Sequence, residues 1–248
     1  MDERNSQSAG DALTPQDPAT IWEDFIDIFY APVQVFARRI NGNYWLPLFF
    51  VTVVVGILNF ANRNTLRPVF DAEYDRSAAV AMTKNPQLTP QMMEQGKAVT
   101  RTVAQVGATV GVPILIVLTA LVVWVVGMVM DARIAWGSAM VIATYAVFPR
   151  ILQAVLVSVQ GLLMDPSKIT SRFSIAIGPS RFLDPDTASP VMGALLDHFD
   201  LFVLWGVALL AIGLMVMGRM PRAKAWAAGA VIWVVTLLPT LLGALRQM

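Results

Sequence analysis

Apolar residues fall into five long runs along this chain, and polar residues fill the segments between them. A helix needs about 20 mainly apolar residues to cross a bilayer. The first run is short, but Tyr44 and Trp45 supply an interfacial anchor at its start. The pattern therefore predicts an all-α, polytopic membrane helix bundle with five transmembrane helices. The predicted spans are residues 44–60, 103–130, 137–163, 199–218 and 226–245.

A polar stretch of about forty residues between the first and second runs predicts a helical insert. Thr89 followed by Pro90 is typical of a helix start, because the threonine oxygen accepts from free N–H groups and proline loses no bond there. Apolar residues continue at helical spacing from Met92 to Val106. We therefore expect one helix to run from solvent into the second span.

The segment before the first run predicts an amphipathic interfacial helix. Its apolar residues, from Trp22 to Ile40, share one helical stripe, and its acidic residues lie mainly opposite. Pro32 favours two short helices over one straight rod. We expect the stripe to pack on the protein's own cytoplasmic face and the acidic side to meet a partner. The acidic residues of that side are Glu23, Asp24 and Asp27.

Composition agrees with a membrane protein, since 56% of the residues are hydrophobic and only 14% are charged, against roughly 25% charged in soluble domains. A formal net charge of +1 suggests no nucleic-acid partner. The absence of cysteine and the single histidine leave no basis for a disulfide or a zinc site. We expect no cofactor and no catalytic residue. Residues 1–19 are polar and predict a disordered tail ahead of a membrane domain at 20–248.

Arg150 is the most unusual polar residue, because it falls near the middle of the third predicted span and follows Pro149. A charge at that depth should face a partner or water rather than lipid. Proline also leaves the carbonyl of Tyr145 without its helical donor, which predicts a kink. Arg150 could serve an ion or substrate site, or could be a structural residue that binds freed carbonyls and Asp200 or Asp131. Asp200 is itself expected to cap the fourth span.

Gly107 and Gly111 form a GxxxG pattern at the entrance of the second span. Small residues four apart let helix backbones approach closely, so this pattern predicts a packing face. The neighbour could be the same chain or a second copy. Orientation follows from basic residues in short loops, which include Arg133 and Arg219 and favour a cytoplasmic N terminus.

Several motifs are similar to one family. "DIFYAPVQVFARR" before an aromatic-led span, "NPQLTPQ" in the insert and "ATYAVFPRIL" in the third run resemble the bacterial branch of the Yip1 family of membrane proteins. "DHFDLFVLWGVALLAIGL" and "AKAWAAGAVIWVV" resemble the end of that family's domain, so the likeness covers roughly residues 22–245. It implies five helical spans and a cytoplasmic N terminus.

The resemblance also bears on partners. Eukaryotic members are associated with vesicle traffic and Rab-type GTPases, whereas bacterial members have no known enzymatic chemistry. The short acidic tail and the insert depart from the eukaryotic pattern, which argues against a GTPase partner. We expect a non-enzymatic protein that acts through self-association, membrane lipids or a protein partner. The alternative is a small channel, a transporter or an accessory subunit that uses Arg150.

Overall fold

The computed structural model describes residues 20–40 and 42–246, and the predicted tail at 1–19 lies outside them. Every regular element in the described part is helical, which confirms the predicted all-α class. Three short 3₁₀ helices follow α7 and precede α8. The α-helices are α1 (Ile21–Asp27), α2 (Pro32–Arg38), α3 (Trp45–Asn62), α4 (Arg67–Lys84), α5 (Pro90–Val129), α6 (Trp136–Tyr145), α7 (Phe148–Leu163), α8 (Pro190–His198), α9 (Leu201–Met217) and α10 (Arg222–Leu245).

Four helical segments in this part are long and apolar enough to cross a membrane: α3, α5, α6 with α7, and α10. Helices α8 and α9 meet at an angle of 51° and pass the same criterion only together. The described part therefore has four candidate spans, or five if the bent pair crosses as one. The predicted fourth span corresponds to α9, which has 17 residues and is short by itself.

Side-chain caps begin the helices where the sequence predicted them. The hydroxyl of Thr89 accepts from the Met92 N–H at 3.2 Å, so α5 starts at the insert. The carboxylate of Asp200 accepts from the Phe202 N–H at 2.8 Å, which confirms the predicted cap of α9. Helix α5 then continues for 40 residues, as expected for a helix that enters the bilayer from solvent.

The third span is broken where Pro149 predicted a kink. Helix α6 ends at Tyr145 and α7 begins at Phe148, with proline in the first turn of α7 where its missing N–H costs no bond. Helix α6 lies at the centre of the bundle, in contact with α3, α5 and α9, and is buried from Ala139 onward. Close approach of α9 depends on Gly213, where a Cβ would lie 2.7 Å from Ile142.

Two short turns meet at one end of the bundle. The Arg133 N–H donates to the carbonyl of Gly218 at 3.0 Å, and Lys224 binds Asp131 at 2.8 Å. This contact makes the α5–α6 and α9–α10 connections neighbours. The joined turns lie at one end of the bundle. The connection between α3 and α4 lies at the opposite end.

Candidate functional site

Helices α1 and α2, here called the helix pair, fold back on each other at the corner before Pro32. Helix α1 ends at Asp27 and α2 begins at Pro32, as the proline predicted. Thr20 begins the pair, and its N–H donates to the Glu23 carboxylate at 2.9 Å. The corner brings the end of α2 back beside the first turns of α1, so charges far apart in the sequence become neighbours.

Asp24 is the centre of a charged cluster between the helix pair and the bundle. Its side chain is 0% exposed and accepts from Arg38 Nη2 at 2.8 Å and from Arg39 Nε. The buried hydroxyl of Tyr145, at the end of α6, lies 3.3 Å from the same carboxylate. Buried carboxylates persist where charges and donors compensate for lost water. The cluster therefore connects the helix pair to the break in the third span.

Asp27 forms the outer part of this cluster. Its carboxylate binds Arg38 Nη2 at 2.6 Å and accepts from the Tyr30 hydroxyl. The bond from Tyr30 and then the Arg38 guanidinium lower the pKa of the Asp27 carboxyl below its usual 3.8. Arg38 thus binds both aspartates of α1. One arginine links a partly exposed carboxylate to a buried one.

Aromatic rings hold the helix pair partway along the bundle rather than on its end. Phe25 stacks on Phe50 of α3 with 4.0 Å between ring centroids and lies 5.3 Å from Phe148 of α7. Phe29 meets Trp205 of α9 edge-on at 5.6 Å. Since Phe50 and Trp205 lie more than a helical turn from the starts of their helices, the pair reaches between α3 and α9.

The prediction that the whole apolar stripe packs inward is wrong. Phe25 and Phe36 are buried, but Trp22 is 62% and Ile26 is 65% exposed. The reason is the corner, because folding α2 against α1 buries the side that faces the bundle and leaves the outer side open. In a membrane protein, that open apolar side is suited to contact lipid.

The acidic residues divide in the same way. Glu23 is exposed, Asp27 is partly exposed, and Asp24 is buried. The prediction that Asp24 faces a partner is therefore wrong, since two arginines and Tyr145 already surround its carboxylate. A partner for Glu23 and Asp27 stays a prediction.

In the described part of the chain, Arg150 makes no hydrogen bond or ion pair with the other residues predicted to form a polar site around it. Arg150 is exposed, and its Nη1 donates to Gln153 at 3.0 Å. Pro149 is buried, and Tyr145 bonds to Asp24 instead. The expected bond from Arg150 to Asp200 or Asp131 is absent from the described part of the chain. Asp200 is occupied as the cap of α9, and Asp131 pairs with Lys224 at the end of the bundle.

Gly107 and Gly111, here called the glycine face, contact no other helix of the described part. A Cβ at either position would meet nothing within 4 Å. Helix α5 packs on α3 through a different side, where Thr109 lies 3.1 Å from a Cβ placed at Gly56. The two glycines therefore form an open surface, and the packing partner expected for them stays a prediction.

Chemistry that needs a metal has no geometric basis in the described residues. No group of three or more His, Asp or Glu side chains there could hold an ion. His198 contacts α10 instead, where the Trp233 indole N–H donates to its carbonyl oxygen at 3.1 Å. These contacts are structural.

Sequence reasoning missed the partners of Asp24. Arg38 and Arg39 lie 14 and 15 residues after Asp24, too far along the chain for their spacing alone to indicate a pair. A usable signal was present, because a predicted corner at Pro32 between an acidic first helix and a basic second helix favours antiparallel pairing.

Comparison with known proteins identifies the family of this chain. The family model for the Yip1 domain matches residues 26–244, nearly the whole chain. No curated protein and no solved structure matches the chain. The apolar helices make it a multi-pass membrane protein. Since the match runs from α1 to the last turn of α10, the chain belongs to the Yip1 domain family.

Proposed function

We propose that this Yip1-type protein is a non-enzymatic scaffold of the membrane, which acts by associating with a second copy of itself, with lipid and with other membrane proteins. The observation that carries this proposal is the open glycine face of α5. A membrane helix that presents close-packing residues to nothing in its own chain is suited to an intermolecular contact.

Other glycines of the spans support this interpretation. A Cβ at Gly206 would lie 2.9 Å from the carbonyl oxygen of Ala146, and one at Gly229 would lie 3.0 Å from Ala211. These glycines allow neighbouring helices of the bundle to approach closely. Gly107 and Gly111 have the spacing that allows such an approach, but no helix of the described part lies against them.

A second copy is the partner that this geometry favours. Two identical helices that cross at a GxxxG pattern each supply the small residues the other needs, so the surface is self-complementary. The contact lies on the side of α5 turned away from Thr109, so dimer formation would leave the α3–α5 packing intact.

Disulfide crosslinking in native membranes tests the proposal, because the natural chain has no cysteine. Val103→Cys and Ile114→Cys, at exposed positions of α5 on the side of the two glycines, should each give a dimer under mild oxidation, and both keep the glycines in place. Thr109→Cys is a control on the same helix, covered by α3, and Gly243→Cys is a control at an equally open glycine of α10. Equal crosslinking at all four positions would indicate random collision, and no dimer from the glycine face would refute self-association. Mass spectrometry of the heavier bands would identify other protein partners.

The alternative of a channel or transporter has weaker support. It was motivated by Arg150 next to the break between α6 and α7. Arg150 lines neither the cavity beside Asn62 nor the apolar crevice beside Trp22, and its bond is to Gln153 on its own helix. Flux of small ions into proteoliposomes that contain the purified protein alone would favour this alternative over the scaffold.

For orientation, we infer a cytoplasmic N terminus. Support comes from the joined short turns, which carry Arg133, Arg219 and Arg222 at one end of the bundle. A single cysteine placed within the first ten residues should be labelled only after the membrane is made permeable. Labelling of this cysteine in intact cells would instead place the N terminus outside the cytoplasm.

A further inference from the structure

A cavity of about 190 Å³ lies at the bundle end opposite the joined turns, between the end of α3, the start of α4 and the middle of α5. Three arginines line it: Arg63, Arg67 and Arg101. We call it the arginine cavity. Its level is that of the membrane boundary, since the apolar run of α5 begins at Val103, two residues after Arg101.

The charges around the arginine cavity are not balanced. Asp71 binds Arg101 and lies 3.6 Å from Arg67 Nε. Arg63 forms no ion pair with a described residue, and its guanidinium lies 4.0 Å from the ring centroid of Phe60. Asp71 thus pairs with two of the three guanidinium groups, and Arg63 pairs with no described carboxylate, which leaves an excess of positive charge around the cavity.

Arg101 also has an unused donor. Its Nε is buried and has no hydrogen-bond partner in the part of the chain that the structure describes. The Asp71 carboxylate bonds to Nη2 of the same guanidinium, so it does not satisfy this donor.

The walls of the arginine cavity are apolar as well as basic. Leu66, just before α4, and Phe70 of α4 line it on one side, and Ala104 and Ala108 line it from α5. Leu115 lies two turns beyond Ala108 on the same side of α5 and is 64% exposed. An acyl chain whose head group occupied the cavity would therefore find an apolar surface that leads toward the bilayer interior.

We propose that the arginine cavity binds a phosphate group, supplied by the head group of an anionic phospholipid. Guanidinium groups match phosphate oxygens in geometry and charge. The membrane-boundary level and the apolar wall favour a lipid over a free phosphate ion, which has the same recognition chemistry. This site would supply the lipid partner of the proposed scaffold. Lipid binding at the arginine cavity does not depend on self-association through the glycine face.

Binding is measured on the purified full chain in neutral detergent, by native mass spectrometry with phosphatidylglycerol, phosphatidylcholine and inorganic phosphate as separate probes. The wild type should retain phosphatidylglycerol in preference to phosphatidylcholine. The variant Arg63→Gln/Arg67→Gln should bind phosphatidylglycerol at least about tenfold more weakly, because two charged donors are lost. Arg101 is left in place, since it also holds α4 on α5 through Asp71.

The matched control is Arg133→Gln/Arg222→Gln, which removes the same charge from exposed arginines at the other end of the bundle. It should bind phosphatidylglycerol like the wild type. Binding of inorganic phosphate alone, lost in the cavity variant, would support the phosphate site and assign it to the free ion instead of a lipid. Equal binding by both variants, or none by the wild type, would overturn the proposal. Dimer formation through Ile114→Cys, measured in the same variants, reports separately on self-association.

Discussion

Asp24→Asn tests whether the buried charge cluster holds the helix pair on the bundle. The substitution keeps the shape of the side chain and removes its charge. Asp24 accepts from Arg38, Arg39 and Tyr145 and is completely buried. Since the asparagine oxygen can still accept from one donor, the cluster loses the remaining bonds and the ionic attraction.

The expected loss follows from those contacts. A hydrogen bond to a charged group contributes about 1.5–3 kcal/mol, and the low end applies because the side chains of Arg38 and Arg39 are 30% and 22% exposed. Asp24→Asn should then lower the free energy of unfolding by roughly 2–3 kcal/mol. Asp24→Ala should cost about 3–5 kcal/mol, since it leaves the arginines and the buried Tyr145 hydroxyl without an acceptor. For a chain of this size, the asparagine variant should melt roughly 4–12 °C lower.

Two measurements distinguish detachment of the helix pair from general weakening. The first is the melting temperature in detergent, with Tyr145→Phe as a milder variant expected to lose about 1 kcal/mol. The second is maleimide labelling of Val35→Cys, a buried position of α2, in the cysteine-free chain. Labelling should be faster with Asp24→Asn than without it. An unchanged melting temperature together with unchanged labelling would refute a structural role for Asp24.

Two further predictions concern acidity and packing. Because the bond from Tyr30 and then Arg38 lower the pKa of the Asp27 carboxyl below its usual 3.8, its stabilisation is present at neutral pH and is lost as the pH falls through that lowered value. The melting temperatures of wild type and Asp27→Asn should therefore differ at pH 7 and converge below about pH 4, and a constant difference would contradict this. Gly206→Ala should lower stability by about 1–3 kcal/mol, since the new Cβ would meet a backbone carbonyl at 2.9 Å. Gly243→Ala is the control in open space, and equal effects of the two changes on thermal melting would contradict the packing argument.

Local features of the chain were enough to predict most helices. The threonine–proline pair at residues 89–90 predicted the start of α5, and Asp200 predicted the cap of α9. Pro32 predicted the corner between α1 and α2, and Pro149 predicted the break in the third span. These predictions succeed because a cap or a proline acts on backbone groups within one turn.

The candidate sites were harder to predict. Asp24 lies on the same side of α1 as buried apolar residues. The sequence of α1 alone gives no reason to expect a charged side chain to be buried there. Burial follows from Arg38 and Arg39, which the corner brings back beside it. In the same way, Arg63 and Arg101 look like ordinary basic residues of a polar insert in the sequence. Only the packing of α4 on α5 shows that they surround one cavity.

The apolar runs, the caps and the prolines determined that this is a multi-pass helical membrane protein, because membrane insertion and helix formation depend on composition and on neighbours a few residues away. Only the tertiary structure decided which charges are buried together and which surfaces are left open. The glycine face illustrates the difference, since its spacing is visible in the sequence but its lack of a neighbour is a property of the whole bundle. Contacts between residues far apart in the chain depend on how helices cross, and no single helix carries that information.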